Sequence, residues 1–169
     1  AYDLVKALKE AVKLPIELHT HYTSGFGSMT YLKAIEAGVD IVDCALSPFS
    51  LGTSQPCTET MIAALEGTEY DTGLDRAALK PIALHFAGVK KSLAEDFNLK
   101  THFDVDTNVL DFQIPGGMLS NLRNQLEEQG MEDKYQDLLE EMPRVRKDLG
   151  YPPLVTPTSQ IVGSMATFN

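Results

Sequence analysis

The sequence is poor in cysteine and in positive charge. Its 169 residues contain only two cysteines, Cys44 and Cys57, and two cysteines give no disulfide framework, so we expect a reducing, cytoplasmic environment. The 14 Lys and Arg residues are outnumbered by 24 Asp and Glu residues, which gives a net charge of -10. Because this charge repels polyanions, we expect neither nucleic acid nor an anionic membrane surface as a partner. A small anionic substrate would need a local positive centre, such as a metal ion.

The sequence also lacks a long apolar run and an initiator methionine. No apolar stretch approaches the ~20 residues of a membrane span, and the hydrophobic content of 43% is ordinary for a globular domain. Ala1 leads directly into a helical stripe of Leu4, Val5, Leu8 and Val12, with no capping residue before it. We therefore expect the chain to begin inside a helix and to be a piece of a longer protein.

Strands and helices alternate in the first part of the chain. The predicted elements are a strand that starts at Pro15 and continues through His21, a helix over 30–39, a buried strand over 40–46 and a helix over 58–67. This alternation is typical of βαβ units and a parallel sheet. Because two parallel strands do not form a stable sheet by themselves, we expect the neighbouring strands to lie upstream of Ala1.

After Gly67 the pattern changes to helices. The predicted helical segments are 73–97, 113–130 and 131–150, the last of them interrupted at Pro143. Near the end of the chain, Thr156 and Pro157 predict a helix N-cap followed by proline at the first helical position.

Two histidines in the stretch LHTHYTSG are candidate metal ligands. His19 and His21 are two residues apart on the predicted strand, so their side chains point to the same face and can aim at one ion. They lie near the carboxyl end of that strand, where α/β barrels place their active sites. The alternative is that paired strand histidines only hydrogen-bond to their neighbours. Two ligands are too few for a closed site, so further ligands must come from elsewhere.

Two other positions have both a structural and a functional interpretation. Thr156 either caps a helix or presents its hydroxyl, at a positive helix end, to a carboxylate or a reacting proton. Gly116 and Gly117 either allow the backbone angles of a helix start or expose amide groups that approach a ligand. The residues alone leave both pairs of alternatives open.

Four blocks of the sequence together resemble one family. The blocks are LHTHYTSG, GTSQPCTETMIAALEGTEYDTGLD, QIPGGMLSNL and LVTPTSQIVG. In this order and at similar spacings they resemble biotin-dependent carboxyltransferases, which include the α subunit of oxaloacetate decarboxylase, the carboxyltransferase subunit of pyruvate carboxylase and the related domain of transcarboxylase. The resemblance implies the last two βα units of a (β/α)8 TIM barrel over residues 1–74, followed by a mostly helical funnel segment over residues 75–169.

The resemblance also implies a site. His19 and His21 match two metal-ligating histidines on the seventh barrel strand, and zinc, manganese and cobalt all suit such ligands. The family's other two ligands, an aspartate and a carbamylated lysine, would lie upstream of Ala1. Thr156 matches a threonine that passes a proton between biotin and the keto acid, and Ser159 matches a residue near the biotin ring. The remaining residues expected at the biotin or substrate site are Gln160, Met118, Gly116 and Gly117.

Two residues help to place the chain within the family. Single-chain pyruvate carboxylases tend to have glutamine and lysine at the positions of Met118 and Gln160, which favours the members that are decarboxylases or have separate subunits. The sequence has no biotin-accepting Met-Lys-Met segment, so the resemblance implies biotin on a separate carrier domain or chain. The implied partners are pyruvate or oxaloacetate, the biotinyl carrier domain, biotin carboxylase or membrane decarboxylase subunits, and a second copy of the chain in a homodimer.

The function implied is transfer of a carboxyl group between oxaloacetate or pyruvate and biotin at a divalent metal, with the chain inactive when it is alone. One alternative is a metal-dependent acyl-CoA aldolase or lyase of the same barrel superfamily, such as the relatives of isopropylmalate synthase, which share the H-x-H pair but lack the PGGM and TPTSQ blocks. Another is a non-catalytic fragment that acts in dimer or complex assembly through the acidic helices of 117–149.

Overall fold

The structure is a computed structural model that describes residues 1–97, 105–112, 114 and 116–168. Within these residues the chain forms eight α-helices and one two-stranded sheet. The elements in chain order are α1 Tyr2–Ala11, β1 Glu17–Leu18, α2 Gly27–Glu36, β2 Ile41–Val42, α3 Thr58–Leu65, α4 Arg76–Phe97, α5 Asn108–Phe112, α6 Gly116–Gln129, α7 Tyr135–Asp148 and α8 Thr158–Phe168. No helix in the described ranges is both long enough and apolar enough to cross a membrane.

The chain divides into two compact units, Ala1–Val105 and Asp106–Asn169. The first unit contains both strands and α1 to α4, and the second contains α5 to α8. The boundary predicted between residues 74 and 75 separates a barrel segment from a funnel segment, and it stays a prediction.

The two strands pair in parallel, as the strand–helix alternation predicts. Glu17 is opposite Ile41 and Leu18 is opposite Val42. Both strands are shorter than predicted. The first ends at Leu18 and does not continue through His21, and the second covers only Ile41–Val42 of the predicted 40–46. The second strand is also not buried, since Ile41 is 48% exposed. A parallel strand is buried only when other elements cover both faces of its sheet. Among the described residues the sheet consists of β1 and β2 alone.

The core of the first unit lies between α2, α3 and the sheet. Its buried members are Tyr31 and Ile35 of α2 with Met61 and Leu65 of α3, and the partly buried residues packed against them include Leu18 and Val42. Helix α2 ends before Gly38, whose φ of +92° is the left-handed conformation that a C-terminal glycine provides. This packing fixes the carboxyl end of β1, where the candidate histidines follow.

The core of the second unit is formed by one face each of α6, α7 and α8. Its most buried members include Leu139, Met142, Val145 and Val162. The predicted interruption at Pro143 is wrong, because α7 runs unbroken from Tyr135 to Asp148. Pro143 is on the exposed side of α7, so the buried residues on either side of it keep their apolar contacts, and this packing offsets the lost backbone hydrogen bond.

An ion pair links α1 to the segment before β2. The Lys9 Nζ donates to both carboxylate oxygens of Asp40, at 2.9 and 2.8 Å, and the Ile16 N–H donates to Asp40 Oδ2 at 2.7 Å. The hydrogen bond from Lys9, followed by that from the Ile16 amide, lowers the pKa of Asp40 below its ordinary value of 3.8. Asp40 itself directly precedes β2, so its contacts connect the start of β2 to α1 and to the residue before β1.

Replacing Asp40 tests this connection through its pH dependence. A carboxyl group whose pKa is lowered by folding stabilises the folded state above its unfolded pKa, and this stabilisation is lost as the pH falls through the folded value. We expect Asp40→Asn to lower the thermal unfolding midpoint at pH 7 and the difference from wild type to shrink as the pH falls below about 4. Circular dichroism measures both, with Glu10→Gln on α1 as the control. A difference that is constant with pH would contradict this role.

Candidate functional site

His19 and His21 lie in irregular backbone directly after β1 and are held there by hydrogen bonds. The N–H of Thr20, between them, donates to the hydroxyl of Tyr31 at 3.1 Å, and Tyr31 is fully buried in α2. The N–H of Tyr22 donates to the carbonyl of Ser54 at 2.7 Å. The histidine segment is thus fixed to α2 on one side and to the loop after β2 on the other.

Each imidazole uses its Nδ1 atom to bind the protein. His19 Nδ1 is 2.8 Å from Asp43 Oδ2, and His21 Nδ1 is 2.5 Å from the carbonyl oxygen of Thr53. A carboxylate and a carbonyl oxygen only accept hydrogen bonds, so both Nδ1 atoms carry the proton. In a neutral imidazole the lone pair is then on Nε2.

The two Nε2 atoms face one another. They are 3.4 Å apart, and the ring planes are inclined by 82°. Two lone pairs at this separation repel each other unless an electrophile lies between them. Two nitrogens each ~2.1 Å from one ion with tetrahedral geometry are about 3.4 Å apart, so the pair fits a shared divalent cation.

The histidines provide only part of a ligand set. In the part of the chain that the structure describes, no group of three or more His, Cys, Asp and Glu side chains is arranged to hold a metal ion. That the site needs ligands beyond His19 and His21 stays a prediction. The side chain of Asp43 binds His19 from behind, at the nitrogen that faces away from His21.

Two carboxyl groups lie next to His19. The hydrogen bond with His19, and then that with Glu17, lowers the pKa of Asp43. The hydrogen bond between Glu17 and Asp43 raises the pKa of Glu17. The lowered pKa of Asp43 is consistent with its role as acceptor for the proton on His19 Nδ1.

Sequence reasoning missed Asp43 and Thr23. Asp43 falls inside the stretch predicted as a buried strand, but it follows directly after β2, at the same sheet edge as His19 after β1. The carboxyl ends of neighbouring parallel strands meet at one edge, and this signal could have identified it. Thr23 is 8% exposed, and its hydroxyl has no hydrogen-bond partner among the described residues. A buried hydroxyl of this kind is not visible in the sequence.

Cys44 follows Asp43 and has a packing role. The side chain packs against the core of the first unit. Burial, followed by the nearby Cys57, raises the pKa of the Cys44 thiol to about 11. The thiol therefore stays protonated and a poor nucleophile at neutral pH.

Thr156 lies in the second unit, in the turn before α8. The predicted capping role is wrong, because α8 begins at Thr158, so that Pro157 and not Thr156 directly precedes the helix. The hydroxyl of Thr158 donates to the carbonyls of Pro153 and Val155, at 2.6 and 2.7 Å, and the helix starts one residue later than predicted. Thr156 is exposed, so its hydroxyl is open to other groups.

The other candidate residues of the second unit lie on α6 and α8. Gly116 and Gly117 begin α6, as the helix-start interpretation predicts, while Pro115 of the same block lies outside the described residues. Met118 is 9% exposed in the core, where its Cε is 3.0 Å from the position that a Cβ on Gly163 would occupy. On α8, Ser159 is 8% exposed and Gln160 is exposed. A ligand-binding role for these residues stays a prediction.

Comparison with known proteins finds two family models. The model described as HMGL-like matches residues 1–84, and the model described as Conserved carboxylase domain matches residues 109–169. The first match contains the H-x-H pair, and the second contains the Met118 and Thr156 blocks.

Individual relatives match almost the whole chain. A pyruvate carboxylase subunit of Methanocaldococcus jannaschii is 59% identical over 99% of this chain and 30% of its own length. The methylmalonyl-CoA carboxyltransferase 5S subunit of Propionibacterium freudenreichii subsp. shermanii is 50% identical over 100% of this chain and 33% of its own length. The carboxyl transferase domain of Rhizobium etli pyruvate carboxylase is 38% identical, with a TM-score of 0.88 over 99% of this chain and 28% of that structure.

Over almost its whole length the chain is related to subunits and domains of biotin-dependent carboxyltransferases. The structural match confirms the predicted fold, the last two βα units of a TIM barrel followed by a mostly helical segment. The chain spans about a third of the length of the curated relatives it matches. Its identity to the two named subunits exceeds its identity to the Rhizobium etli domain, in keeping with the members with separate subunits that Met118 and Gln160 favour.

Proposed function

We propose that the chain is part of an enzyme that moves a carboxyl group between oxaloacetate or pyruvate and biotin, at a divalent cation held by His19 and His21. The observation that carries this proposal is the pair of Nε2 atoms 3.4 Å apart, with both Nδ1 atoms already bound to protein acceptors. This arrangement leaves two lone pairs directed at one point, which is the donor set that zinc, manganese and cobalt accept.

The comparisons support the substrate and the carboxyl carrier. One structure of the Rhizobium etli carboxyl transferase domain, 38% identical over 99% of this chain, contains pyruvate and biocytin. Because this chain spans less than a third of that structure, the complete activity and its substrates are proposals for the longer protein to which these residues would contribute.

The residues of this chain have separate roles in the proposed chemistry. His19 and His21 donate their Nε2 lone pairs, and the acceptors on their Nδ1 atoms keep the rings in place. The Oγ1 of Thr156 would relay a proton between the biotin nitrogen and the methyl carbon of the keto acid, taking up one proton as it gives up another, so that it stays a neutral hydroxyl. Ser159, Gln160, Met118, Gly116 and Gly117 line the biotin and substrate region in this proposal. When bound, the cation stabilises negative charge on the keto acid and biotin carries the carboxyl group.

The proposal includes the partners of the complete protein. Biotin is on a separate carrier domain or chain, and the associated subunits are biotin carboxylase or a membrane decarboxylase. The complete protein forms a homodimer, and it is cytoplasmic because a reducing environment suits its free thiols.

A metal-dependent acyl-CoA lyase or aldolase is the second candidate. The HMGL-like match over residues 1–84 favours it, because that match contains both histidines. The carboxylase-domain match over residues 109–169 favours carboxyl transfer, since it contains the blocks that the aldolase relatives lack. Assaying the complete protein with pyruvate and biotin, and separately with an acyl-CoA, distinguishes the two reactions.

Metal analysis of the complete protein tests the role of the histidines. We expect His19→Ala and His21→Ala each to lower the bound zinc, manganese or cobalt far below the near-stoichiometric content of wild type, because each removes a direct ligand. His85→Ala, which removes an exposed histidine on α4, is the matched control. Equal metal content in His19→Ala and wild type would refute the ligand assignment.

Substitution of Thr156 tests proton transfer separately from metal binding. We expect Thr156→Ala to lower the rate of carboxyl transfer by about 100- to 10,000-fold, the usual contribution of a positioned proton donor, without changing the metal content. Thr156→Ser keeps the hydroxyl and should retain most of the activity. Thr167→Ala is the control, because the hydroxyl of Thr167 donates to the Gly163 carbonyl of its own helix. An unchanged rate in Thr156→Ala would exclude this role.

We also propose that residues 1–169 are inactive by themselves. Several large apolar side chains of the first unit are exposed, including Leu14 at 72%, the sheet has two strands among the described residues, and the histidines supply two ligands. We expect the purified chain to show no pyruvate-dependent carboxyl transfer and a low unfolding midpoint, whereas the complete protein is active under the same conditions. Substantial turnover by residues 1–169 would contradict this.

A further inference from the structure

The carboxylate of Asp43 is a charged partner of the histidine pair. It comes directly after β2 and reaches across to the residue directly after β1, so the pairing of the two strands sets its distance from His19. The Asp43 N–H also donates to the Leu18 carbonyl at 3.2 Å, which fixes the backbone of Asp43 against the end of β1. Asp43 is therefore placed by the sheet itself.

The bond from His19 Nδ1 to Asp43 Oδ2 controls where the ring proton is. In a neutral imidazole free in water either nitrogen can carry the proton, but a carboxylate 2.8 Å from Nδ1 accepts only if the proton is there. The lone pair is then on Nε2, 3.4 Å from His21 Nε2. His21 obtains the same tautomer from the Thr53 carbonyl, which no side-chain substitution removes. His19 depends on a side chain that can be changed.

We infer that Asp43 is a positioning residue that fixes the tautomer and the ring orientation of His19 for cation binding. This inference rests on the proposed function, in which His19 and His21 hold a divalent cation. The negative charge on Asp43 also makes the imidazole a stronger donor, and loss of such a partner typically lowers metal affinity about 10- to 100-fold. Asp43 makes no contact with the substrate in this role and acts only through His19.

Asp40 provides a matched control in the same segment. It precedes β2, carries the same side chain and also makes inter-element hydrogen bonds, but these go to Lys9 and to the Ile16 amide. Removing either carboxylate should disturb local structure, whereas it is Asp43 that hydrogen-bonds to a histidine of the pair. The difference between the two variants therefore separates positioning of His19 from general destabilisation.

The experiment compares Asp43→Ala with Asp40→Ala in the complete carboxyltransferase polypeptide. Zn²⁺ affinity is measured by competition with a chelator, and the tautomer of His19 in the metal-free protein by nitrogen NMR with labelled histidine, assigned with His19→Ala. We expect Asp43→Ala to lower Zn²⁺ affinity about 10- to 100-fold and to convert His19 partly to the tautomer protonated on Nε2. Asp43→Asn, which keeps an oxygen acceptor without the charge, should be intermediate and serves if the alanine variant does not fold.

The possible results separate this inference from the proposed function. Wild-type affinity and an unchanged His19 tautomer in Asp43→Ala, or in Asp43→Asn where only that variant folds, would overturn the inference alone. An equal loss of affinity in Asp40→Ala would also overturn it, because the loss would then be structural. A wild-type protein that binds no Zn²⁺ would overturn the proposed function and this inference with it.

Discussion

The candidate site depends on the short distance, 3.4 Å, between the Nε2 atoms of His19 and His21. In each ring the other nitrogen, Nδ1, is already hydrogen-bonded to the protein. The contacts that produce this arrangement come from three separate places: Tyr31 in α2, Asp43 after β2 and Thr53 in the loop that follows. None of these three residues contributes an atom between the two rings. The core of the first unit therefore orients two side chains toward a point that suits a cation.

The sequence predicts that the side chains of His19 and His21 lie together, as they do, but for an incomplete reason. Alternation along a strand places His19 and His21 on one face, yet β1 ends at Leu18, before either histidine. The rings converge because the backbone between and after them is held by Tyr31 and Ser54. These are tertiary contacts between residues far apart in the sequence, and no local pattern specifies them. The same limit applies to Asp43, which local pattern does not distinguish from the rest of a predicted strand.

The starts and interruptions of the helices, likewise, can be predicted only in part from the sequence. The helical segments and the glycines that end them, such as Gly38 and Gly130, follow from periodicity and from backbone angles that glycine adopts readily. Pro143 and Thr156 do not follow from local rules, because the packing of α7 tolerates a proline on its exposed side and α8 starts at Thr158, after the predicted cap. Local propensity predicts which residues can form an element, and packing decides where the element ends.

The charges around the histidines give a physical reason for a cation in the proposed site. Glu17 and Asp43 lie beside His19. Asp40 directly precedes β2, and its carboxylate is bound to Lys9. In an acidic chain with a net charge of -10, such a site repels a keto acid, whose one or two carboxylates are ionised at neutral pH. A divalent ion on His19 and His21, as proposed, would offset the charge of these carboxylates and give the keto acid a positive centre to bind. On the proposed function, the acidic surroundings favour the cation, and the cation in turn favours the anionic substrate.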